Sequence, residues 1–360
     1  MDEGVLKHEE KAVFSLRLLY RKYGYTPYKM SKFEEYEYYI RNKDFLISDR
    51  IITFNDTNGK LLALKPDVTL SIVRNGEDRV GYKQKVCYNE NIYRISDSTG
   101  QYKEIMQTGL ECIGDIDLYD IYETVSLAAR SLALISADFV LQVSHMGLLT
   151  AVLDSISLDA EFRRQAISFI ARKDTHDLIR LCRRYEIPDG QIQLLTQLVT
   201  VYGSREAVLD KLMEQCAILA PEAMEELKSL SALLNRLPQS ERIIFDFSVV
   251  NNMNYYNGIV FTGFVSGISD GILAGGQYDN LMRKLGRTSG AIGFALYLDL
   301  LEQLPAKKQE YDVDVLLVYD LQTPMDAVTD QAEKLIASGR TVSVQRTVPP
   351  KLRYRELVRI

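Results

Sequence analysis

Gln107 and Glu111, arranged around Gly109, are the polar pair in the sequence best suited to hold a small charged ligand. In the strand-like run EIMQTGLECIG these three residues alternate, so they would all point to one face of a sheet. The glycine leaves room for a ligand, and the carboxylate can accept from a ligand ammonium group. A solvated sheet face would give the same pattern, because charged side chains are mostly exposed. Arg94 lies upstream, before a turn-rich segment.

Two adjacent tyrosines, Tyr255 and Tyr256, lead into the apolar run IVF. Because neighbouring side chains of a strand point to opposite faces, we expect one ring to face a cavity and the other the opposite layer. Two core tyrosines with satisfied hydroxyls are the competing interpretation. The glycines of the next patch, GILAGGQYDN, allow close backbone approach to a ligand or simply a tight turn.

The segment Lys65-Pro66-Asp67-Val68-Thr69 has the composition of a helix start. Asp and Thr are preferred capping residues, so a plain helix cap explains the segment without any ligand. Each of these patches is ambiguous by itself.

Composition describes an ordinary soluble globular protein. The 360 residues are 46% hydrophobic and 26% charged, long enough for two or three domains. The net charge of −6 gives no global basic field that would draw the chain onto nucleic acid, although a local basic patch could still do so.

The four cysteines form no CxxC pair and have no nearby histidine, which predicts buried structural thiols in a reducing compartment and no metal site. The N-terminal segment has no signal-peptide pattern. The most apolar stretch, Val125 to Val143, is interrupted by Arg130 and Asp138, so it predicts an amphipathic helix. We therefore expect a cytoplasmic protein that needs no cofactor.

Periodicity predicts an α+β fold in which a mixed or antiparallel sheet is flanked by helices. Strand-like segments lie at 85–95, 104–114, 139–143, 242–249, 255–264 and 271–275, with a hairpin around Asn58-Gly59. Helices are predicted at 5–24, 67–75, 117–134, 280–285 and 293–304. Continuous helical pattern at about 150–237 interrupts the sheet and predicts a helical insertion.

Residues 311–360 predict a separate partial unit, after a first domain spanning 1–308. VDVLLVY, MDAVTDQAEKLIASG and TVSVQR read as β-α-β, followed by a short tail. About 50 residues are few for an independent core, so this unit is either incomplete or supported by the main body.

The order and spacing of the patches resemble histidyl-tRNA synthetases across about residues 5–305. LKPDVTLSIVRN resembles that family's Leu-Arg-Pro-Glu-Gly-Thr segment, and NNMNYYNGIVF resembles its Arg-Gly-Leu-Asp-Tyr-Tyr signature. IYRISDSTGQYKEIMQTGLECIG is similar to the second class II synthetase motif, and AGGQYDNLMRKLGRTSGAIGFALYLDLL to the third. The resemblance implies a class II aminoacyl-tRNA synthetase-like fold, and the C-terminal unit resembles the start of an anticodon-binding domain. Ser31 stands where the first motif has a proline, at the family's dimer interface.

The resemblance also implies a nearly complete histidine pocket. The implied binding residues, with Arg94 on the substrate carboxylate, are Asp67, Thr69, Arg94, Gln107, Glu111, Tyr255 and Tyr256. Asp67 stands where the family has a glutamate, so its carboxylate side chain is one methylene shorter.

The residues that the family uses on ATP are not retained. The catalytic arginine aligns with Asn251, and the arginine that ends the third motif aligns with Leu300. Further positions are changed at Ser96, Asn254 and Tyr297, the last standing where a glycine leaves space open. Because adenylation depends on positive charge around the phosphate, such a pocket is expected to bind an amino acid without activating it.

This combination resembles the regulatory subunits of short-form ATP phosphoribosyltransferase, and the segments VSHMGLL, ARKDTHDLIRL and TVYGSREAVLD agree with that. The resemblance implies a protein with no catalytic residues, a homodimer that assembles with the short catalytic subunit into a hetero-oligomer, expected to be a hetero-octamer. It would carry histidine feedback to the first step of histidine biosynthesis. A divergent histidyl-tRNA synthetase and a synthetase paralogue that senses tRNA or histidine are the alternatives.

Overall fold

The computed structural model describes residues 8–43, 46, 51–76, 81–95, 99–250, 255–304 and 310–360. The chain forms two compact units, Met1–Leu304 and Pro305–Ile360.

The strands of the first unit are Thr26–Pro27 (β1), Phe33–Glu35 (β2), Thr53–Asn55 (β3), Leu61–Leu64 (β4), Gln84–Ile95 (β5), Tyr102–Gly114 (β6), Phe139–His145 (β7), Tyr202–Gly203 (β8), Ile243–Asp246 (β9), Ile259–Val265 (β10), Leu273–Gln277 (β11) and Gly290–Tyr297 (β12). Its helices are His8–Lys22 (α1), Tyr36–Arg41 (α2), Val68–Asn75 (α3), Leu118–Ile135 (α4), Met146–Ile156 (α5), Ala160–Ala171 (α6), Thr175–Arg184 (α7), Asp189–Thr200 (α8), Arg205–Leu219 (α9), Pro221–Leu234 (α10) and Asp279–Lys284 (α11).

A nine-stranded sheet in the order β1-β5-β6-β12-β11-β10-β7-β9-β8 runs through the described part of this unit. The pairs from β5 to β7 are antiparallel, while β1–β5 and β7–β9 are parallel. The mixed sheet flanked by helices confirms the predicted α+β class. Helices α1 and α4 pack on one face of the sheet, where Leu16, Val125 and Leu132 belong to the main hydrophobic core.

The other face of the sheet is covered by a smaller layer. The strands β2, β4 and β3 form a separate antiparallel sheet, and α3 follows β4. A second core forms here, in which Leu70 and Ile72 of α3 join Ile92 of β5 and Leu281 of α11. This layer leaves a cavity between itself and the strands β6, β12 and β11.

The predicted helical insertion is present as α5 to α10, with only the two-residue strand β8 inside it among the described residues. Asp159 and Asp174 accept hydrogen bonds from the first turns of α6 and α7, as capping side chains do. One side of each helix is apolar and buried, for example Leu195 and Leu198 of α8.

The helix predicted at 293–304 is wrong. Residues Gly290–Tyr297 form β12 between β6 and β11, and only a short 3₁₀ helix, Leu298–Gln303, follows. Ala291, Ile292, Phe294 and Leu296 are all buried, because the strand is covered on both faces. A doubly covered strand reads as a continuous apolar run, which periodicity does not separate from a buried helix.

The second unit is formed by Val313–Val318 (β13), Met325–Ala337 (α12), Val342–Gln345 (β14) and Tyr354–Arg359 (β15). The predicted β-α-β is present, and the short tail that follows it contains a further strand that the sequence did not predict. The tail forms β15, which pairs parallel to β13 on the side opposite β14. Three of its six residues are charged and four are exposed, so the strand lacks the apolar alternation that identifies a strand in sequence.

Gly293 is required by the packing of the two central strands. It lies opposite Glu111 in the β12–β6 register, and a Cβ atom there would collide with Glu111 Oε2 and with the Leu110 carbonyl. We expect Gly293→Ala to lower the free energy of unfolding by about 1–3 kcal/mol, as overpacking does. Chemical denaturation monitored by circular dichroism measures the change.

Gly190→Ala is the matched control. Gly190 lies in α8 with nothing within 4 Å of its added Cβ, so alanine should leave stability unchanged or raise it by up to about 1 kcal/mol. Equal destabilisation by the two substitutions would contradict the packing argument.

Candidate functional site

A cavity of about 610 Å³ lies between the sheet and the α3 layer. That volume is in the range of small-molecule sites, which is about 300–1,000 Å³. All seven residues of the sequence-predicted pocket line it. They are Asp67, Thr69, Arg94, Gln107, Glu111, Tyr255 and Tyr256.

Glu111 is the most deeply placed charged group of the cavity, with only 2% of its surface exposed. Its Oε2 accepts a hydrogen bond of 2.6 Å from the Tyr278 hydroxyl, and its Oε1 accepts one of 2.8 Å from the Thr69 hydroxyl. Burial raises the pKa of Glu111 to about 8, against the opposing effect of these two hydrogen bonds. The carboxyl group has no basic partner among the described residues, so it either keeps a proton or pairs with a group of a ligand.

Asp67 and Arg94 form the charged edge of the cavity. Asp67 caps α3 by accepting from the Leu70 backbone N–H at 2.9 Å, so the plain capping interpretation of this residue is also true. Its Oδ2 lies 4.0 Å from Arg94 Nη2, and Arg94 Nε donates to the Pro66 carbonyl at 3.0 Å. Burial raises the pKa of Asp67, and the Arg94 guanidinium opposes that shift.

Tyr255 and Tyr256 line the same cavity, so the prediction that their rings face opposite layers is wrong. Both precede β10, which begins at Ile259, and strand alternation therefore does not apply to them. Their ring centroids lie 4.6 Å apart, and the Tyr255 ring lies 5.6 Å from that of Tyr278. Burial raises the pKa of all three phenols well above the usual value, so they stay neutral hydrogen-bonding groups.

The segment that carries these tyrosines is held by a hydrogen-bonded group next to it. Asn257 Nδ2 donates to Asp279 Oδ2 at 3.0 Å, and the Asp279 backbone N–H donates to Asn257 Oδ1 at 2.8 Å. The Gln277 amide donates to the same Asp279 oxygen, and Ala291 N–H donates to the other. The glycine-rich patch of the sequence therefore acts partly through its polar end, QYDN, which fixes the tyrosine pair.

Gln107 and the residues beside it form the floor of the cavity. Gln107 is 3% exposed and its side chain has no hydrogen-bond partner among the described residues, so its amide is available to a ligand. The solvated-face interpretation of Gln107 and Glu111 is excluded by this burial. Further along the floor the side chains are small, namely Thr262, Gly271, Ala274, Gly293 and Ala295.

Sequence reasoning did not single out Tyr88 and Tyr278, which also line the cavity. Tyr278 holds Glu111 directly, and the Tyr88 hydroxyl lies 3.4 Å from the Phe294 carbonyl that it contacts. Tyr278 lies in the patch GILAGGQYDN, where the glycines are a stronger sequence signal of a ligand site than the tyrosine. Tyr88 lies in a strand, where a tyrosine is an ordinary core residue.

The positions at which the family's catalytic groups are replaced are only partly within the described chain. Ser96, Asn251 and Asn254 lie outside the described residues. Leu300 is partly buried and packs against the main hydrophobic core, whereas Tyr297 lines the cavity. Neither side chain can neutralise a phosphate charge.

No group of three His, Cys, Asp or Glu residues that could hold a metal occurs among the described residues. The four cysteines are free and buried, as structural thiols are. No described helix is long and apolar enough to cross a membrane.

The fold and the cavity define a class II synthetase-like protein, and the chain belongs to the histidyl-tRNA synthetase family. The family model described as histidyl-tRNA synthetase matches residues 2–301. The chain is 27% identical over 336 residues to an ATP phosphoribosyltransferase regulatory subunit of Clostridium kluyveri, which covers 90% of this chain and 85% of the relative. The expected resemblance to these regulatory subunits is therefore confirmed, and the relative's name agrees with a subunit that is not itself the catalyst.

Two solved structures support the fold. A crystal structure of an ATP phosphoribosyltransferase regulatory subunit/histidyl-tRNA synthetase from Bacillus halodurans superposes with a TM-score of 0.81 at 22% identity, covering 98% of this chain and 93% of that one. A chain of an ATP phosphoribosyltransferase complex from Thermotoga maritima gives a TM-score of 0.65 at 20% identity, covering 81% of this chain and 97% of that one.

The buried carboxyl of Glu111 is expected to make the ligand-free protein less stable as the pH rises. Its pKa is about 8 in the folded chain against an ordinary value of 4.5, so the folded state holds a proton that the unfolded state has lost. The stability from this proton is complete below pH 4.5 and is lost as the pH rises to about 8. Glu111→Gln cannot ionise, so the variant should become more stable than the native chain, by on the order of a few kcal/mol at pH 8.

Thermal or urea unfolding of both proteins at pH 5.5, 7 and 8.5 measures this difference. We expect the free energy of unfolding of the glutamine variant, relative to that of the native chain, to increase with pH. A difference that stays constant, or that shrinks as the pH rises, would show that Glu111 ionises normally.

Proposed function

We propose that this chain is a non-catalytic regulatory subunit of short-form ATP phosphoribosyltransferase, and that its cavity binds free histidine as the feedback signal. One observation carries the proposal. A cavity lined with all the implied amino-acid contacts contains a buried carboxyl without a cation, while Leu300 is packed into the core instead of facing a phosphate.

The charged edge of the cavity matches the backbone groups of an amino acid. A zwitterion carries its carboxylate and its ammonium on one carbon, so both must bind at the same end of the site. Arg94 and Asp67 present opposite charges 4.0 Å apart, and each has a side chain only 14% exposed. We assign the ligand carboxylate to Arg94 and the ligand ammonium to Asp67, with the Gln107 amide beside them.

Glu111 is then left for the ligand's side chain. The sequence favoured an ammonium partner for Glu111, but its position among tyrosine rings moves the assignment to the imidazole. The rings of Tyr255 and Tyr278 are tilted by 49° with their centroids 5.6 Å apart, and they form walls suited to a flat ring. The Glu111 carboxyl, held by Tyr278 and Thr69, can share a proton with an imidazole nitrogen.

Catalysis of adenylation is not expected from this site. The reaction places negative charge on a phosphate that is being transferred, and fixed positive groups there commonly supply the largest part of the rate enhancement. Leu300 and Tyr297 supply none, and loss of a single such donor costs about 3–4 kcal/mol of barrier in other enzymes.

The proposed partner is the short catalytic subunit of ATP phosphoribosyltransferase. The similar chain from Thermotoga maritima comes from an ATP phosphoribosyltransferase complex. We propose that this chain forms a homodimer and joins short catalytic subunits in a hetero-octamer in the cytoplasm. Helix α1 exposes Phe14 and Leu18, with 53% and 60% of their surfaces accessible, which suits burial in such an assembly.

Histidine affinity should depend on pH as a bell-shaped curve. A free imidazole is protonated below about pH 6.5, and Glu111 is protonated below about pH 8. Between these values the two groups together hold the one proton that their hydrogen bond needs. Below pH 6.5 binding must release a proton, and above pH 8 it must take one up, so affinity should fall on both sides by up to about tenfold per pH unit.

Calorimetric titration with L-histidine from pH 5.5 to 9 measures this curve, with Glu111→Gln as the control. The glutamine variant should bind more weakly and should lack the fall that begins near pH 8. Affinity in the native protein that rises steadily from pH 6 to 9 would show that Glu111 faces the ligand ammonium, as the sequence suggested.

The regulatory role is tested by reconstitution with the short catalytic subunit. We expect this chain to allow phosphoribosyl transfer to ATP and L-histidine to inhibit the mixture. Glu111→Gln should still support the activity, because the substitution is buried in the cavity, but should need at least about tenfold more histidine for inhibition, the loss of one charged hydrogen bond.

A catalytic subunit that behaves identically with and without this chain would remove the proposed partner. Activation by this chain with unchanged histidine inhibition in the glutamine variant would keep the partner and place the histidine site elsewhere. Retention of the chain on tRNA would favour the tRNA-sensing alternative.

A further inference from the structure

Tyr297 stands at the carboxylate end of the cavity. It is the last residue of β12, lies opposite Gln107 in the β12–β6 register, and is fixed by its backbone N–H, which donates to the Ile272 carbonyl at 2.8 Å. Gly293, Ala295 and Tyr297 alternate along the strand and all line the cavity. Gly293 and Ala295 have small side chains that leave space above the strand, so Tyr297 is the only large side chain of these three.

The groups around the Tyr297 ring place it next to the proposed carboxylate anchor. Burial raises the pKa of Tyr297, the Arg94 guanidinium opposes the shift, and the carboxyls of Asp67 and Asp299 add to it. Tyr297 also lines the same cavity as Arg94 and Asp67, the two residues to which we assign the backbone groups of the ligand.

The described residues that follow Tyr297, Leu298–Gln303, include no basic side chain that could hold an anionic extension of the ligand. Asp299 is half-buried, with an Oδ1 atom that has no hydrogen-bond partner among the described residues. Leu300 packs against the hydrophobic core. A group attached to a carboxyl carbon held at Arg94 would meet the phenol ring of Tyr297.

We infer that Tyr297 restricts this cavity to free amino acids and excludes forms that are extended at the carboxyl group. Esters, substituted amides and acyl phosphates belong to the excluded class. The inference rests on the proposed function, because it takes Arg94 as the anchor of the ligand carboxylate. A sensor built in this way reports the free amino acid and is not occupied by its activated or conjugated forms.

The test compares ligands that differ only in the size of the carboxyl substituent. L-Histidinamide has the size of histidine without the negative charge, and L-histidine benzylamide adds a bulky group to the same uncharged amide. Calorimetry or competition with labelled L-histidine measures the affinity of each for the native chain, for Tyr297→Ala and for Tyr297→Phe.

In the native chain we expect the benzylamide to bind at least about tenfold more weakly than the primary amide, an effect of about 1.4 kcal/mol. Tyr297→Ala should bring the ratio of the two affinities close to one. Tyr297→Phe keeps the ring and should keep the native ratio, since the exclusion is steric.

Equal binding of the two amides by the native chain would overturn this inference whatever the variants do, and would leave histidine binding intact. A phenylalanine variant that behaves like the alanine variant would overturn the steric role of the ring. Absence of L-histidine binding to the native chain would overturn the proposed function and this inference together.

Discussion

The carboxyl group of Glu111 is buried at the bottom of the cavity, and much of the surrounding structure depends on keeping it there. Taking a carboxylate out of water without a cation is costly, so it stays buried only where hydrogen bonds or protonation compensate. Tyr278 and Thr69 donate to its two oxygens, and Gly293 on the neighbouring strand leaves the space that the side chain occupies. Burial still raises the pKa of Glu111, so part of the desolvation cost is not compensated. A ligand group that pairs with the carboxyl can offset this cost.

This constraint connects the cavity to both layers of the domain. Thr69 belongs to α3 in the covering layer, Tyr278 precedes α11, and Glu111 itself lies on the central strand β6. A ligand that shares a proton with Glu111 is therefore connected through this carboxyl to all three elements. A change in the occupancy of the cavity can thereby favour one arrangement of these elements over another, which is what a regulatory subunit requires.

Much of the fold followed from the sequence, since long amphipathic helices and the β5–β6 pair have clear periodicity. The failures have physical causes. Residues 293–304 read as a helix because β12 is apolar on both faces, and β15 was missed because charged residues interrupt its apolar pattern. Strand alternation placed Gln107 and Glu111 on one face, and the resemblance to a family joined all seven residues into one pocket. The shared exposure of Tyr255 and Tyr256 to the cavity was not predicted, because both lie before the strand. The contact between Tyr278 and Glu111 was not predicted either, because it joins residues 167 positions apart.

The central claim is that the site binds histidine and does not activate it. Both halves can be measured on one sample of the native chain near pH 7.2, by calorimetric titration with L-histidine and by histidine-dependent exchange of pyrophosphate into ATP. We predict saturable binding of one histidine per chain and no exchange above the rate without protein. Exchange that depends on histidine, or the absence of any histidine binding, would contradict it.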